Sequence, residues 1–133
     1  MIRSASTEVA NRVSFTDGEC TAHADIPKEK GGAGLGFGPH DLLEAALATC
    51  IAITVELYAA KHGIPLESVE AVVRIDRSQP GDAVLNYSLD FRGSLTDEQR
   101  NLLRVAASKC PVQRTLTGKL TCRAEGGRDG EGA

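Results

Sequence analysis

The sequence predicts one domain of mixed helices and antiparallel strands, and three observations lead there. Two-residue alternation marks strands near the N-terminus and between residues 66 and 92, and longer apolar periodicities mark two helices. The third is size: 133 residues, 41% hydrophobic and 25% charged, suit a single core and leave no room for a second domain. The domain should span residues 1–125, with the segment GGRDGEGA, residues 126–133, expected to be a disordered tail.

In chain order, Cys20, Ala22, Ala24 and Ile26 alternate with Glu19, Thr21, His23 and Asp25, the period of a half-buried strand, and Asp17-Gly18 ahead of them marks a tight turn. Ile2–Val9 and Val13–Phe15 supply one or two further short strands. Lys30–Gly38 reads KGGAGLGFG, with five glycines in nine residues, which is too much backbone entropy for a helix or central strand. This loop is not a phosphate loop, because no Gly-Lys-Ser/Thr follows and its glycines do not match a dinucleotide fingerprint.

A helix is predicted from Asp41 to about His62, with Leu43, Leu47, Cys50, Thr54 and Leu57 recurring at three- and four-residue steps. Asp41 with Glu44 resembles a capping box, and Gly63 followed by Pro65 ends the helix. Its other face, with Leu42, Ala46, Ile51, Ile53 and Tyr58, is also apolar. Such a helix belongs at the centre of the molecule, with a sheet on one side and another element, such as a partner subunit, on the other.

Leu66–Arg77 and Ala83–Arg92 form a hairpin around Gln79-Pro80-Gly81-Asp82. Val69, Ala71, Val73 and Ile75 face inward on the first strand, and Ala83, Leu85, Tyr87, Leu89 and Phe91 on the second. Thr96 and Gln99 form a capping box for a second helix, whose stripe Leu103, Ala106, Ala107 and Cys110 is stopped by Pro111. A last strand, about Lys119–Arg123, should turn Leu120, Cys122 and Ala124 inward.

Composition narrows the function classes. Fifteen Lys and Arg against eighteen Asp and Glu, a net charge of -3, no Trp, two Tyr and three Phe argue against a nucleic-acid partner. No run of 18 apolar residues and no secretion-type leader are visible, so the expectation is a cytoplasmic protein with no membrane partner. Its four cysteines should then be reduced, and any that bond should be redox-active.

Cys20 and Cys122 fall on apolar strand faces, where a thiol acts as a small hydrophobe. Cys20 and His23 have metal half-site spacing, but alternation sends them to opposite sides of the sheet, so no metal is expected. Cys50 and Cys110 lie on the buried stripes of helices, and taken singly each reads mostly as core.

The stretch Gly38-Pro39-His40-Asp41-Leu42-Leu43-Glu44-Ala45-Ala46-Leu47-Ala48-Thr49-Cys50, paired with Cys110-Pro111-Val112-Gln113-Arg114-Thr115-Leu116 sixty residues on from that first cysteine, resembles the OsmC/Ohr family of thiol-dependent peroxidases. The helix exit Tyr58–Glu67 and the strand from Val69 extend the resemblance, which covers Ile2 to Ala124. It implies an α+β, OsmC-like fold: an intertwined homodimer with long helices at its centre, flanked by antiparallel-rich sheets, and active sites built from both chains. It also implies that Cys50 is the attacking thiol and Cys110 the resolving thiol.

Thiolate attack on the O–O bond of an organic hydroperoxide leaves a sulfenic acid, which a second thiol converts to a disulfide. No metal or other cofactor is needed, and the resemblance implies a dithiol or small-thiol reductant that restores the pair. The two cysteines must come within disulfide reach, so their helices must pack together. Cys50 sits mid-helix, away from the positive helix end, so other segments must stabilise its thiolate.

The family does this with an Arg held by a Glu ten residues before the first cysteine, where this sequence has His40. His40 can donate a hydrogen bond if the loop folds back, or simply begin the helix. No Gly-Gly-Arg segment is present; Arg3 and Arg12 are open candidates, and Arg114 could lower a thiol pKa, bind an acidic substrate or lie solvated at the surface. An alternative function is an OsmC-fold binding or redox-sensing protein with a small apolar ligand and little peroxidase activity.

Overall fold

A computed structural model describes residues 1–127. Three short strands open the chain, β1 (Arg3–Ser6), β2 (Val13–Thr16) and β3 (Thr21–Ala24), and form an antiparallel sheet in the order β1-β2-β3. The turn into β3 is built by Asp17, whose carboxylate accepts the N–H groups of Glu19 at 2.9 Å and Cys20 at 2.7 Å. Cys20 is therefore a turn residue with an exposed thiol, and the expectation of a core position is corrected.

The glycine-rich loop after β3 is organised by Asp25, which is 2% exposed. Its carboxylate accepts the N–H groups of Ile26 at 2.7 Å, Leu35 at 3.1 Å and Ala33 at 3.4 Å. A side chain at Gly32 would collide with the carbonyl of Ile26. The loop ends in α1 (Pro39–Lys61), with Gly38 as N-cap and Pro39 in the first helical position, where no N–H is needed. Asp41 is not the cap, as the capping-box reading had it; it lies two residues inside and accepts the Gly38 N–H at 2.8 Å. Gly63, at φ +63°, follows the helix.

α1 buries Leu47, Ile51, Val55 and Ala59, one i, i+4 row, against the hairpin β4 (Leu66–Asp76) and β5 (Val84–Gly93) and against α2 (Asp97–Ala107). This row corrects the expected stripe, because Leu43 and Leu57 stay exposed while Ile51, assigned to the other face, is fully buried. Both faces are apolar, so periodicity does not distinguish them. By length and composition α1 would also suit a membrane span, but its buried row makes it a core helix.

The hairpin alternates as expected where Val69, Ala71, Val73 and Ile75 stand opposite Phe91, Leu89, Tyr87 and Leu85 on its inner face, but Ala83, expected inward, is exposed and precedes β5. Thr96 caps α2 reciprocally with Gln99, and Leu103, Ala106 and Ala107 are buried. Pro111 does not only stop α2: it opens a further short helix, α3 (Pro111–Thr117), for which Cys110 is the N-cap. The final strand is absent. Residues 118–127 are irregular and pair with no described strand, leaving Leu120 and Cys122 exposed, contrary to the expected inward face. Gly126 and Gly127 are exposed; the rest of the expected tail lies outside the described residues.

Candidate active site

Cys50 and Cys110 come together because α1 packs on α2 and on α3, whose N-cap is Cys110. Leu47 and Ile51 seat α1 on the core, and Cys50, between them in sequence, packs half-buried against the same cluster. Cys110 belongs to that cluster and is fully buried. Its backbone is extended, and as N-cap of α3 its sulfur accepts the Gln113 N–H at 3.4 Å. The Cys50 side chain neighbours that of Cys110, close enough for the two thiols to influence each other.

Burial pushes the Cys110 thiol pKa up; the Gln113 N–H pulls against it, and the neighbouring Cys50 adds to the rise. Cys110 is thus held as a neutral thiol beside a more accessible partner. An accessible sulfur next to a buried one can react with an outside oxidant and then exchange internally.

The remaining candidates lie elsewhere. His40 is the second residue of α1 and is exposed. A straight helix puts residues ten apart at about 15 Å, so the fold-back route to Cys50 is closed. Arg114 is exposed on α3, and Arg3 is exposed on β1. Arg12 is half-buried and acts on Asp25, whose carboxyl is held below the usual range first by the Leu35 N–H and also by this guanidinium. Among the described residues no Arg, Lys or His side chain hydrogen-bonds to either sulfur, and no group of three or more His, Cys, Asp and Glu could hold a metal. In the sequence Glu44 reads as a capping-box partner of Asp41 and Gln113 only as a motif letter. Glu44 in fact accepts the Ile75 N–H at 2.9 Å, and Gln113 sits three residues after the Cys110 cap, the spacing at which a cap bonds a main-chain N–H.

The family model described as OsmC-like protein matches residues 31–125, most of the chain and both cysteines. The chain belongs to the OsmC family. No curated protein matches it in sequence. Among solved structures, this OsmC-family chain is similar to an OsmC-like protein from Mycoplasma pneumoniae, at 21% identity and TM-score 0.74, over 89% of this chain and 86% of that one. It is also similar to the organic hydroperoxide resistance protein OsmC from Legionella pneumophila (23%, TM-score 0.65, 89% and 88% covered). A third is the organic hydroperoxide resistance protein OhrB of Bacillus subtilis (22%, TM-score 0.60, 89% and 90% covered). At these identities the likeness establishes the α+β OsmC-like fold.

Proposed function

We propose that this chain is a hydroperoxide reductase that works as a homodimer through Cys50 and Cys110. The observation that carries the reading is the placement of a half-buried Cys50 beside the fully buried Cys110 in one cluster. Cys50 thiolate attacks the terminal oxygen of an organic hydroperoxide; a sulfur–oxygen bond forms, the O–O bond breaks, and the alkoxide leaves and takes a proton as the alcohol. Cys110 then displaces the hydroxyl, releasing water and closing the disulfide, which a dithiol or small-thiol reductant reopens. A cytoplasmic setting goes with this cycle, since it returns the pair to thiols.

The homodimer is supported by uncovered apolar surface. The outer face of α1 leaves Ile53 and Leu57 at 56% and 67% exposure, and the β1-β2-β3 sheet buries none of its residues but Ala24. A second copy would cover both and bring its own cations to the thiol pair.

One equivalent of an alkyl hydroperoxide should consume two thiols and form the Cys50–Cys110 disulfide, while Cys50→Ser should consume no peroxide. Four thiols surviving in the wild-type chain would overturn the reading. The binding or redox-sensing alternative is favoured by one observation, the lack of a described cation at either sulfur. A Cys50 that shows no thiolate absorbance at neutral pH would decide for it.

A further inference from the structure

We infer that the side-chain oxygen of Gln113 receives the hydroxyl of the Cys50 sulfenic acid and holds it for attack by Cys110, an inference that rests on the peroxidase reading above. Three observations converge on this residue. Its Oε1 is buried with no hydrogen-bond partner. Its own N–H is on the Cys110 sulfur at 3.4 Å, and Cys50 packs against the cluster that holds that sulfur. Gln113 also shares a cavity of about 270 Å³ with Leu47, about one turn before Cys50 on α1; Ala83 to Leu85, Tyr87, Leu116 and Thr117 form the rest of its wall.

A buried amide oxygen without a donor is unfavourable, so the reduced protein holds an acceptor in wait. Thiols are weak donors, and oxidation of Cys50 places the first strong one, an O–H, within the pair. The only other buried side-chain polar atom lacking a partner among the described residues is Arg12 Nε, a donor, which cannot serve.

In the resolving step a sulfur–sulfur bond forms and the sulfur–oxygen bond breaks. The Cys50 sulfur is reduced from the sulfenic state, the Cys110 sulfur is oxidised, and the hydroxyl leaves as water with the Cys110 proton. Holding the hydroxyl hydrogen on Gln113 fixes the sulfur–oxygen bond in direction and leaves the oxygen lone pairs open to that proton.

The test uses the full-length chain with one equivalent of tert-butyl hydroperoxide, quenched at intervals with dimedone, with Cys50 sulfenic acid and the disulfide counted by mass spectrometry. Gln113→Met keeps the chain length and removes the oxygen; Gln113→Glu keeps an acceptor. The Met variant should oxidise Cys50 at the wild-type rate, and closure in each variant is counted from the sulfenic acid it forms. The Met variant should close the disulfide about fivefold more slowly, the scale of one neutral hydrogen bond, and the Glu variant should restore it. Wild-type disulfide closure in Gln113→Met, or equal slowing in both variants, overturns the role of Gln113. If Gln113→Met does not fold, Gln113→Asn, which withdraws the oxygen by one methylene, is read in the same way. A wild type that never oxidises Cys50 overturns instead the peroxidase reading beneath it.

Discussion

The Glu44 carboxylate accepts the main-chain N–H of Ile75 at 2.9 Å, a bond spanning 31 residues that ties α1 to the end of β4. Glu44 lies six residues ahead of Cys50, so this bond helps to set how the thiol-bearing helix sits on the hairpin. Glu44→Ala leaves a partly buried N–H without its acceptor and should lower unfolding stability by about 1–2 kcal/mol. Glu44→Gln, which keeps an oxygen at the same reach, should lose less. Urea unfolding of the two variants makes the comparison, and equal losses would mean that packing rather than the bond matters.

Asp25 gives a pH-dependent prediction. Its folded pKa is depressed, first by the Leu35 N–H, with burial opposing and Ile26, Ala33 and Arg12 adding to the fall. A depressed carboxyl stabilises the fold above its unfolded value, about 3.9, and loses that contribution as pH falls through the folded value. Asp25→Asn should therefore be clearly less stable than wild type at pH 6, and the gap should narrow below about pH 4. A gap that stays constant down to pH 2 would show that the charge on Asp25 plays no part in holding the loop.

The readable parts of this fold are those where one face alone is buried. Val69 to Ile75 and Leu85 to Phe91 alternate because the outer face of the hairpin is wet, and Thr96 with Gln99 announces α2 through side chains that bond the backbone locally. α1 was legible as a helix but not as a face, because Ile51 and Leu57 are equally apolar and only packing buries one and exposes the other. Leu120 and Cys122 alternate like a strand, yet a strand exists only where something pairs with it. The two site cysteines stand out through the residues around them. Their proximity depends on how α1 packs on α2 and α3, and the lack of a described cation bonded to either sulfur depends on where each Arg side chain ends.

The uncovered α1 face sets the prediction for assembly. Ile53 and Leu57, at 56% and 67% exposure, stand on the side of α1 away from the hairpin. Wild-type protein should sediment as a dimer at micromolar concentration. Ile53→Glu or Leu57→Glu, which would bury a charge at such an interface, should shift it toward monomer. Because the activating cation is expected from the second copy, peroxide reduction should fall along with the dimer, by roughly tenfold or more, the effect expected on removing an electrostatic stabiliser. Sedimentation of the charged variants as dimers would place the interface elsewhere.

Cys110 supplies the last prediction, through its raised thiol pKa. Burial is the leading cause, and the neighbouring Cys50 adds to the rise. For a group raised in the folded state, the stabilising contribution is complete below its unfolded value, about 8.5 for a thiol, and fades as pH climbs through the folded value. Wild type should therefore lose stability above about pH 8.5 more steeply than Cys110→Ala, whose core has no proton to give up. The same protonation predicts labelling order. With iodoacetamide at pH 7.5, peptide mapping should find the exposed Cys20 and Cys122 alkylated first and Cys110 last, its labelling rising only as the pH passes the range of an ordinary thiol. Early modification of Cys110 at neutral pH would mean that its sulfur is neither sealed nor protonated, and a resolving thiol held in reserve could not then be drawn from this geometry.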